Sequence, residues 1–162
     1  MELVAILLTD LPLDEARFHG LLRDLARSSV AGGISPRGLS ARHSYGDAAE
    51  DLQERDILVR VERATKAPPE ALHELKRIGF DPVQALLFTT EGDADSREDA
   101  WALLHLYAEE LRGWILTRYL DDETAIARTG SEEGILRVPL AGAGRQNRAV
   151  LLAASTLDLL AP

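Results

Sequence analysis

The side chains that could perform acid–base, nucleophilic or metal chemistry are few in this sequence and far apart. It contains no cysteine, which excludes disulfides, thiolate zinc sites and thiol nucleophiles. The histidines His19, His43, His73 and His105 have neither i,i+4 nor H-x-H spacing, so they form no local metal motif. The sequence also lacks a G-x-S-x-G nucleophile elbow. We therefore predict no catalytic residue, no metal site and no cofactor.

One dispersed set of polar residues could still assemble into a site. Arg42, His43 and Tyr45 belong to one predicted strand, and Arg60 belongs to the next strand along the chain. Antiparallel pairing of the two strands would bring these side chains near one another. An enzyme whose site is built from them is therefore kept as an alternative to a binding protein.

Acidic residues are the most unevenly distributed charged groups. The formal net charge is −9, and residues 91–135 contain twelve acids and four bases, a local charge of −8. Such a field repels nucleic-acid phosphates and anionic membranes and attracts a basic protein. The other interpretation is a solvated surface that keeps the protein soluble. We predict that a basic partner binds the following acids: Glu91, Asp93, Asp95, Asp121, Asp122, Glu123, Glu132 and Glu133.

Length and composition are those of a single soluble domain. The 162 residues are 46% hydrophobic and 28% charged, which suits one buried core. No apolar run reaches the roughly 18 residues that a membrane helix needs. The start, Met1–Thr9, lacks the basic segment of a signal peptide, so we expect a cytoplasmic protein. Sixteen Arg against two Lys, with much Ala and Leu, favour a bacterial source with a GC-rich genome.

Residues 1–90 predict an α+β core. Apolar or alternating runs indicate strands at 2–9, 34–45, 57–64 and 83–90. Two amphipathic helices lie between them, one capped by Asp14 and ended by Gly32-Gly33, the other started by Pro68-Pro69 and ended by Gly79. Pro36 and Gly38 suggest that the second strand begins at a sheet edge. The order favours a ferredoxin-like βαββαβ sandwich, an antiparallel sheet with both helices on one face.

Residues 91–162 extend this core within the same domain, 1–162. A variant capping box at Ser96-x-x-Asp99, or at Asp95-x-x-Glu98 one residue earlier, starts a long extra helix that runs to about Trp114. Short strands are predicted at 115–119 and 124–128, paired across Leu120–Glu123, and at 135–140. An Ala- and Leu-rich closing helix is predicted at about 146–160.

The loop after the first strand resembles that of small-molecule-sensing ACT-type regulatory domains. Thr9-Asp10-Leu11-Pro12 follows the strand and precedes an amphipathic helix, as does the ligand loop of that family. Leu13 stands where the family usually has glycine. The resemblance covers residues 1–90 at most, and it implies a ligand-sensing domain, the alternative function. Self-association into a homodimer is left open by the sequence.

The overall arrangement is similar to that of the small acidic immunity proteins that bacteria make against their own polymorphic toxins. A compact α/β chain without a catalytic set has a long helix (100–114), followed by short segments around 120–123 and 131–134. The resemblance implies stoichiometric inhibition of a cognate toxin, with the basic face of the toxin covered. Trp101 and Trp114, if exposed, would serve as anchors of such an interface. A non-enzymatic protein-binding module is therefore the leading hypothesis.

Overall fold

A computed structural model describes residues 2–45, 55–91, 94–118, 134–139 and 148–153. Within these residues the chain forms one eight-stranded sheet and three α-helices, which confirms the α+β class. Short 3₁₀ turns lie at Ser29–Ala31 and Ala64–Lys66. The elements in chain order are β1 Glu2–Thr9, α1 Glu15–Leu25, β2 Gly33–Arg37, β3 Ser40–Tyr45, β4 Arg55–Arg63, α2 Pro69–Arg77, β5 Gln84–Thr90, α3 Ala94–Leu111, β6 Trp114–Thr117, β7 Ile135–Pro139 and β8 Arg148–Ala153.

The strand order is β2-β3-β4-β5-β1-β6-β8-β7, and every neighbouring pair is antiparallel. In a ferredoxin-like sheet, β1 would lie parallel beside β4. Here β5 lies between them and pairs with both, so that detail of the prediction is not confirmed. The hydrogen bond from Ala64 N to Val83 O, 3.1 Å long, ties the two ends of the β4–β5 connection together. These strands therefore become direct neighbours.

Strand β1 is central and covered on both faces, as its continuous apolar sequence predicts. Leu7 points into the core beneath α3, whereas Ile6 and Leu8 point into the core beneath α2. An irregular register between Leu3 and Ala5 places Val4 and Ala5 on the same side, as a β-bulge does.

The helices lie on opposite faces of the sheet, so the prediction that α1 and α2 share one face is wrong. Helices α1 and α3 pack on one core, to which α1 contributes its predicted stripe of Phe18, Leu21, Leu22 and Leu25. Helix α2 packs the other core through Ala71 and Leu75. It also contacts β7, although three strands separate β7 from β5, so the sheet curls around α2.

The C-terminal half departs most from the sequence prediction. Strand β6 has β1 on one edge and β8 on the other, so residues 115–117 have no edge left for the predicted pairing with 124–128. The segment 119–133 itself lies outside the described residues. Residues 148–153, predicted as part of the closing helix, form strand β8. Alternate residues of β8 enter the two cores. A continuous apolar run is compatible with such a buried strand as well as with a buried helix, so periodicity does not distinguish them. The predicted strand at 135–140 is confirmed as β7.

Helix α3 ends three residues earlier than predicted, at Leu111. Arg112 and Gly113 follow with positive φ of 58° and 125°. A Cβ on Gly113 would overlap the Leu8 carbonyl, so only glycine fits at this turn into β6. None of the helices in the described part of the chain is both long and apolar enough to span a membrane.

Candidate functional site

The predicted acidic binding residues are only partly described. Glu91 and Asp95 are both exposed, and they flank the start of α3. The other six lie outside the described residues: Asp93, Asp121, Asp122, Glu123, Glu132 and Glu133. Glu91 follows Thr90, the last residue of β5, which is buried and whose hydroxyl donates to Asp56 O at 3.3 Å.

The exposed side chains of helix α3 are acidic. Among residues 95–111 four side chains are exposed, and all four are acidic: Asp95, Glu98, Glu109 and Glu110. At about 100° per residue they fall within roughly 120° of the helix circumference and span about 22 Å along its axis. Glu98, Glu109 and Glu110 form no ion pair with any residue that the structure describes. We call these four residues the acidic side of α3.

The two tryptophans do not serve this surface. Trp101 is 7% exposed and belongs to the core beneath α3, so the exposure that an anchor role requires is not met. Trp114 is half-buried and packs against the core beneath α2. The helical spacing of Trp101 with Leu104 and Ala108, which also predicts burial, was the better guide.

The dispersed set that could have formed an enzyme site is divided between the two faces of the sheet. The predicted strand pairing is confirmed, with Ser40 opposite Arg60 and His43 opposite Ile57. Because alternate residues point to opposite faces, His43 and Tyr45 face the core beneath α3, whereas Arg42 and Arg60 are exposed on the other face. The four side chains therefore do not converge.

His43 instead forms a buried hydrogen-bond chain. It is fully buried, and its Nδ1 lies 2.6 Å from Ala31 O while its Nε2 lies 2.7 Å from the Tyr107 hydroxyl. A carbonyl can only accept, so Nδ1 carries the proton and Nε2 accepts from Tyr107. Burial lowers the pKa of His43, an effect that the bond to Ala31 O partly offsets. Burial also raises the pKa of Tyr107, and the nearby Tyr45 raises it further. This chain keeps His43 neutral.

Sequence reasoning missed Tyr107 as the partner of His43. The signal available was weak: a tyrosine on the buried stripe of a helix needs a hydrogen-bond partner, and a histidine on the inward side of a strand can supply one. Phe88 packs edge-on against Tyr107, with ring centroids 5.2 Å apart, and fixes its orientation.

Tyr45 borders a surface cleft next to this chain. Its hydroxyl donates to Val30 O at 2.6 Å. The cleft has a volume of about 290 Å³, and its other lining residues are Ser29, Val30, Asp99 and Ala102. Burial raises the pKa of Tyr45, and the Asp99 carboxylate raises it further. The phenol therefore stays protonated near neutral pH and serves as a hydrogen-bond donor.

In the loop that resembles an ACT-type ligand loop, polar groups form hydrogen bonds with other residues of this chain. Thr9 Oγ1 donates to Leu111 O at 3.0 Å and accepts from Leu11 N at 3.2 Å. Gln84 Oε1 accepts from Leu13 N at 3.2 Å. Asp14 caps α1 by accepting from Arg17 N at 2.7 Å, as predicted. These bonds fix the loop between β1 and α1.

Histidine and carboxylate side chains form no group of three that could hold a metal ion in the described part of the chain. His19 Nε2 lies 2.8 Å from Gly38 O, His73 is exposed on α2 and His105 is buried in α3. These three histidines therefore lie in different environments.

Comparison with known proteins finds no matching family model, curated protein or solved structure.

Proposed function

We propose that this chain is a protein-binding module that contacts a basic partner through the acidic side of α3, and that it acts as an immunity-type inhibitor of a cognate toxin. One observation carries the proposal: every exposed residue among 95–111 is a carboxylate. The remaining predicted acids of segment 91–135 would extend the same contact.

The placement of Glu109 and Glu110 is unfavourable for folding. The last turn of a helix favours cations, because its free carbonyl groups carry partial negative charge, and misplaced charge costs about 0.3–1 kcal/mol. Helix α3 has no basic residue in that turn and two adjacent exposed acids instead. Because Glu109 and Glu110 form no ion pair with a described residue, this expected cost supports a role in binding.

The negative charge of this surface would raise the rate at which a basic partner associates. Complementary fields raise association rate constants from about 10⁵–10⁶ M⁻¹s⁻¹ towards 10⁸–10⁹ M⁻¹s⁻¹ at low salt. Four like charges spread over about four turns of one helix form an extended strip rather than a point. Such a strip suits a protein surface better than a small cation.

The proposal is tested with the protein encoded next to this chain, co-expressed with it and purified. We expect a one-to-one complex by size-exclusion chromatography with light scattering, and protection of cells against the toxicity of the neighbour. The triple variant Glu98→Lys/Glu109→Lys/Glu110→Lys should lose both.

The matched control is Glu15→Lys/Asp24→Lys/Asp81→Lys, which reverses three exposed acids away from α3 and changes the net charge equally. It should keep the complex and the protection. Equal loss in both variants would reduce the effect to net charge, and a neighbour that neither binds nor is toxic would refute the immunity role.

A further inference from the structure

The outer face of β2, β3 and β4 carries two rows of polar side chains that no helix in the described part of the chain covers. The paired register aligns Ser35, Arg42 and Leu58 in one row and Arg37, Ser40 and Arg60 in the next. We call these six residues the arginine face. The core beneath α2 lies on the same side of the sheet, but none of its residues belongs to β2, β3 or β4.

The arginines of this face are available for a ligand. Arg37 and Arg60 are exposed and form no ion pair with any described residue. The Arg42 side chain is 62% exposed, and its Nε lies 3.7 Å from Asp56 Oδ2, a long and solvent-exposed ion pair that contributes little stability. The acids on this face of β4, Asp56 and Glu62, lie at its two ends, opposite Ser44 and Ala85.

A cleft of about 450 Å³ lies over the centre of the face. It is lined by residues of the three strands: Ser35, Pro36, Arg37, Ser40, Arg42 and Leu58. Guanidinium groups and hydroxyls around a half-buried leucine offer charge-assisted hydrogen bonds together with an apolar contact. The cleft is open at the edge of the sheet, because β2 is the first strand.

We propose that the arginine face binds an extended acidic segment of a partner protein, whose carboxylates pair with Arg37, Arg42 and Arg60 and whose apolar side chains contact Leu58. Diagonal neighbours on adjacent strands are about 7–8 Å apart, and Arg37 and Arg60 are two strand spacings apart, so the three arginines form a triangle with two sides of about 7–8 Å and a third of about 10 Å. Carboxylates on alternate residues of an extended chain are about 7 Å apart, which matches this spacing.

Nucleic acid fits the face less well than an acidic segment does. Single-stranded nucleic acid is held by aromatic side chains on which its bases stack. Tyr45, the aromatic residue of these strands, faces the opposite side of the sheet. The net charge of −9 would also repel a polyanion more strongly than a short segment with few charges.

The test uses a fluorescein-labelled peptide in which glutamate alternates with valine, with a matched peptide in which glutamine replaces every glutamate. Fluorescence anisotropy at moderate salt should show binding of the acidic peptide only. The variant Arg42→Gln/Arg60→Gln should weaken that binding at least about tenfold. The control Arg27→Gln/Lys66→Gln removes two exposed cations outside the face and should leave the affinity unchanged.

Three results would overturn the proposal. The first is an affinity that Arg42→Gln/Arg60→Gln does not change, or that the control changes equally. The second is displacement of the peptide by inorganic phosphate but not by chloride at the same ionic strength. That result would show that the cleft is a site for small anions. The third is a dimer in sedimentation velocity that the variant converts to monomer, which would make the occupant a second copy of this chain.

Discussion

At the scale of single residues, the most tightly determined feature is the buried chain from Tyr107 through His43 to Ala31 O. The alternation of β3 predicts that His43 points inward, and the spacing of α3 predicts that Tyr107 is buried. Their contact could not be predicted, because the two residues are 64 positions apart and meet only once α3 packs across β4 and β5.

Tyr107→Phe should destabilise the fold, because it leaves the buried Nε2 of His43 without a donor. The expected loss in the free energy of unfolding is about 1–3 kcal/mol. Urea unfolding followed by circular dichroism measures it. Tyr45→Phe is the control, since its bond to Val30 O lies at an exposed position and the carbonyl can turn to water. An equal loss in the two variants would contradict the structural role of the buried chain.

The stability of the fold should fall as the pH is lowered below the ordinary pKa of histidine, 6.5. The folded state lowers the pKa of His43, so between the two pKa values the unfolded state binds more protons, and stability rises with pH there. Unfolding free energies measured from about pH 7 to pH 5 should show this slope. His43→Gln should reduce it. A slope that His43→Gln leaves unchanged would assign the effect to other groups.

At the scale of elements, local patterns predicted most helices and strands but not their neighbours. The apolar runs of β1, β4 and β5, the capped start of α1 and the Pro-started α2 were all predicted. The side of the sheet that α2 covers was not, because its apolar stripe suits either face. The sequence predicts a helix where β8 lies, since the five apolar residues of this strand, 149–153, show no period that distinguishes a strand from a helix.

The turn from α3 into β6 depends on Gly113. Gly113→Ala should cost about 3 kcal/mol or more, because a side chain there both adopts an unfavourable φ and meets the Leu8 carbonyl. Gly79→Ala is the matched control: its φ is 83°, but open space surrounds the added Cβ, so we expect about 1 kcal/mol. Thermal unfolding compares the two, and equal shifts would show that the close approach to β1 does not matter.

At the scale of the whole molecule, two charged surfaces of opposite sign lie on opposite sides of the sheet. The acidic side of α3 lies on one face and the arginine face lies on the other. The sequence predicted the acidic segment from its counts alone. It could not predict which acids reach solvent, nor that Arg37, Arg42 and Arg60 align, because both depend on strand register and helix orientation.

Removing the acids from the last turn of α3 should stabilise the free protein while it weakens binding. Glu109→Gln/Glu110→Gln relieves repulsion from the helix carbonyls, and we expect a gain of about 0.5–1.5 kcal/mol in the free energy of unfolding. Urea unfolding at low salt measures it. A loss of stability would show that these acids serve the fold, which would weaken the argument for a binding role.

The association rate constant with the protein encoded next to this chain tests the central claim most directly. Stopped-flow mixing at about 0.05 M and about 0.5 M salt compares the wild type with Glu109→Lys/Glu110→Lys and with the control Asp24→Lys/Asp81→Lys. We predict that the α3 variant associates at least about tenfold more slowly at low salt, that the difference shrinks at high salt, and that the control stays close to wild type. Equal rates for the wild type and the α3 variant at low salt would contradict the claim that the acidic side of α3 meets a basic partner.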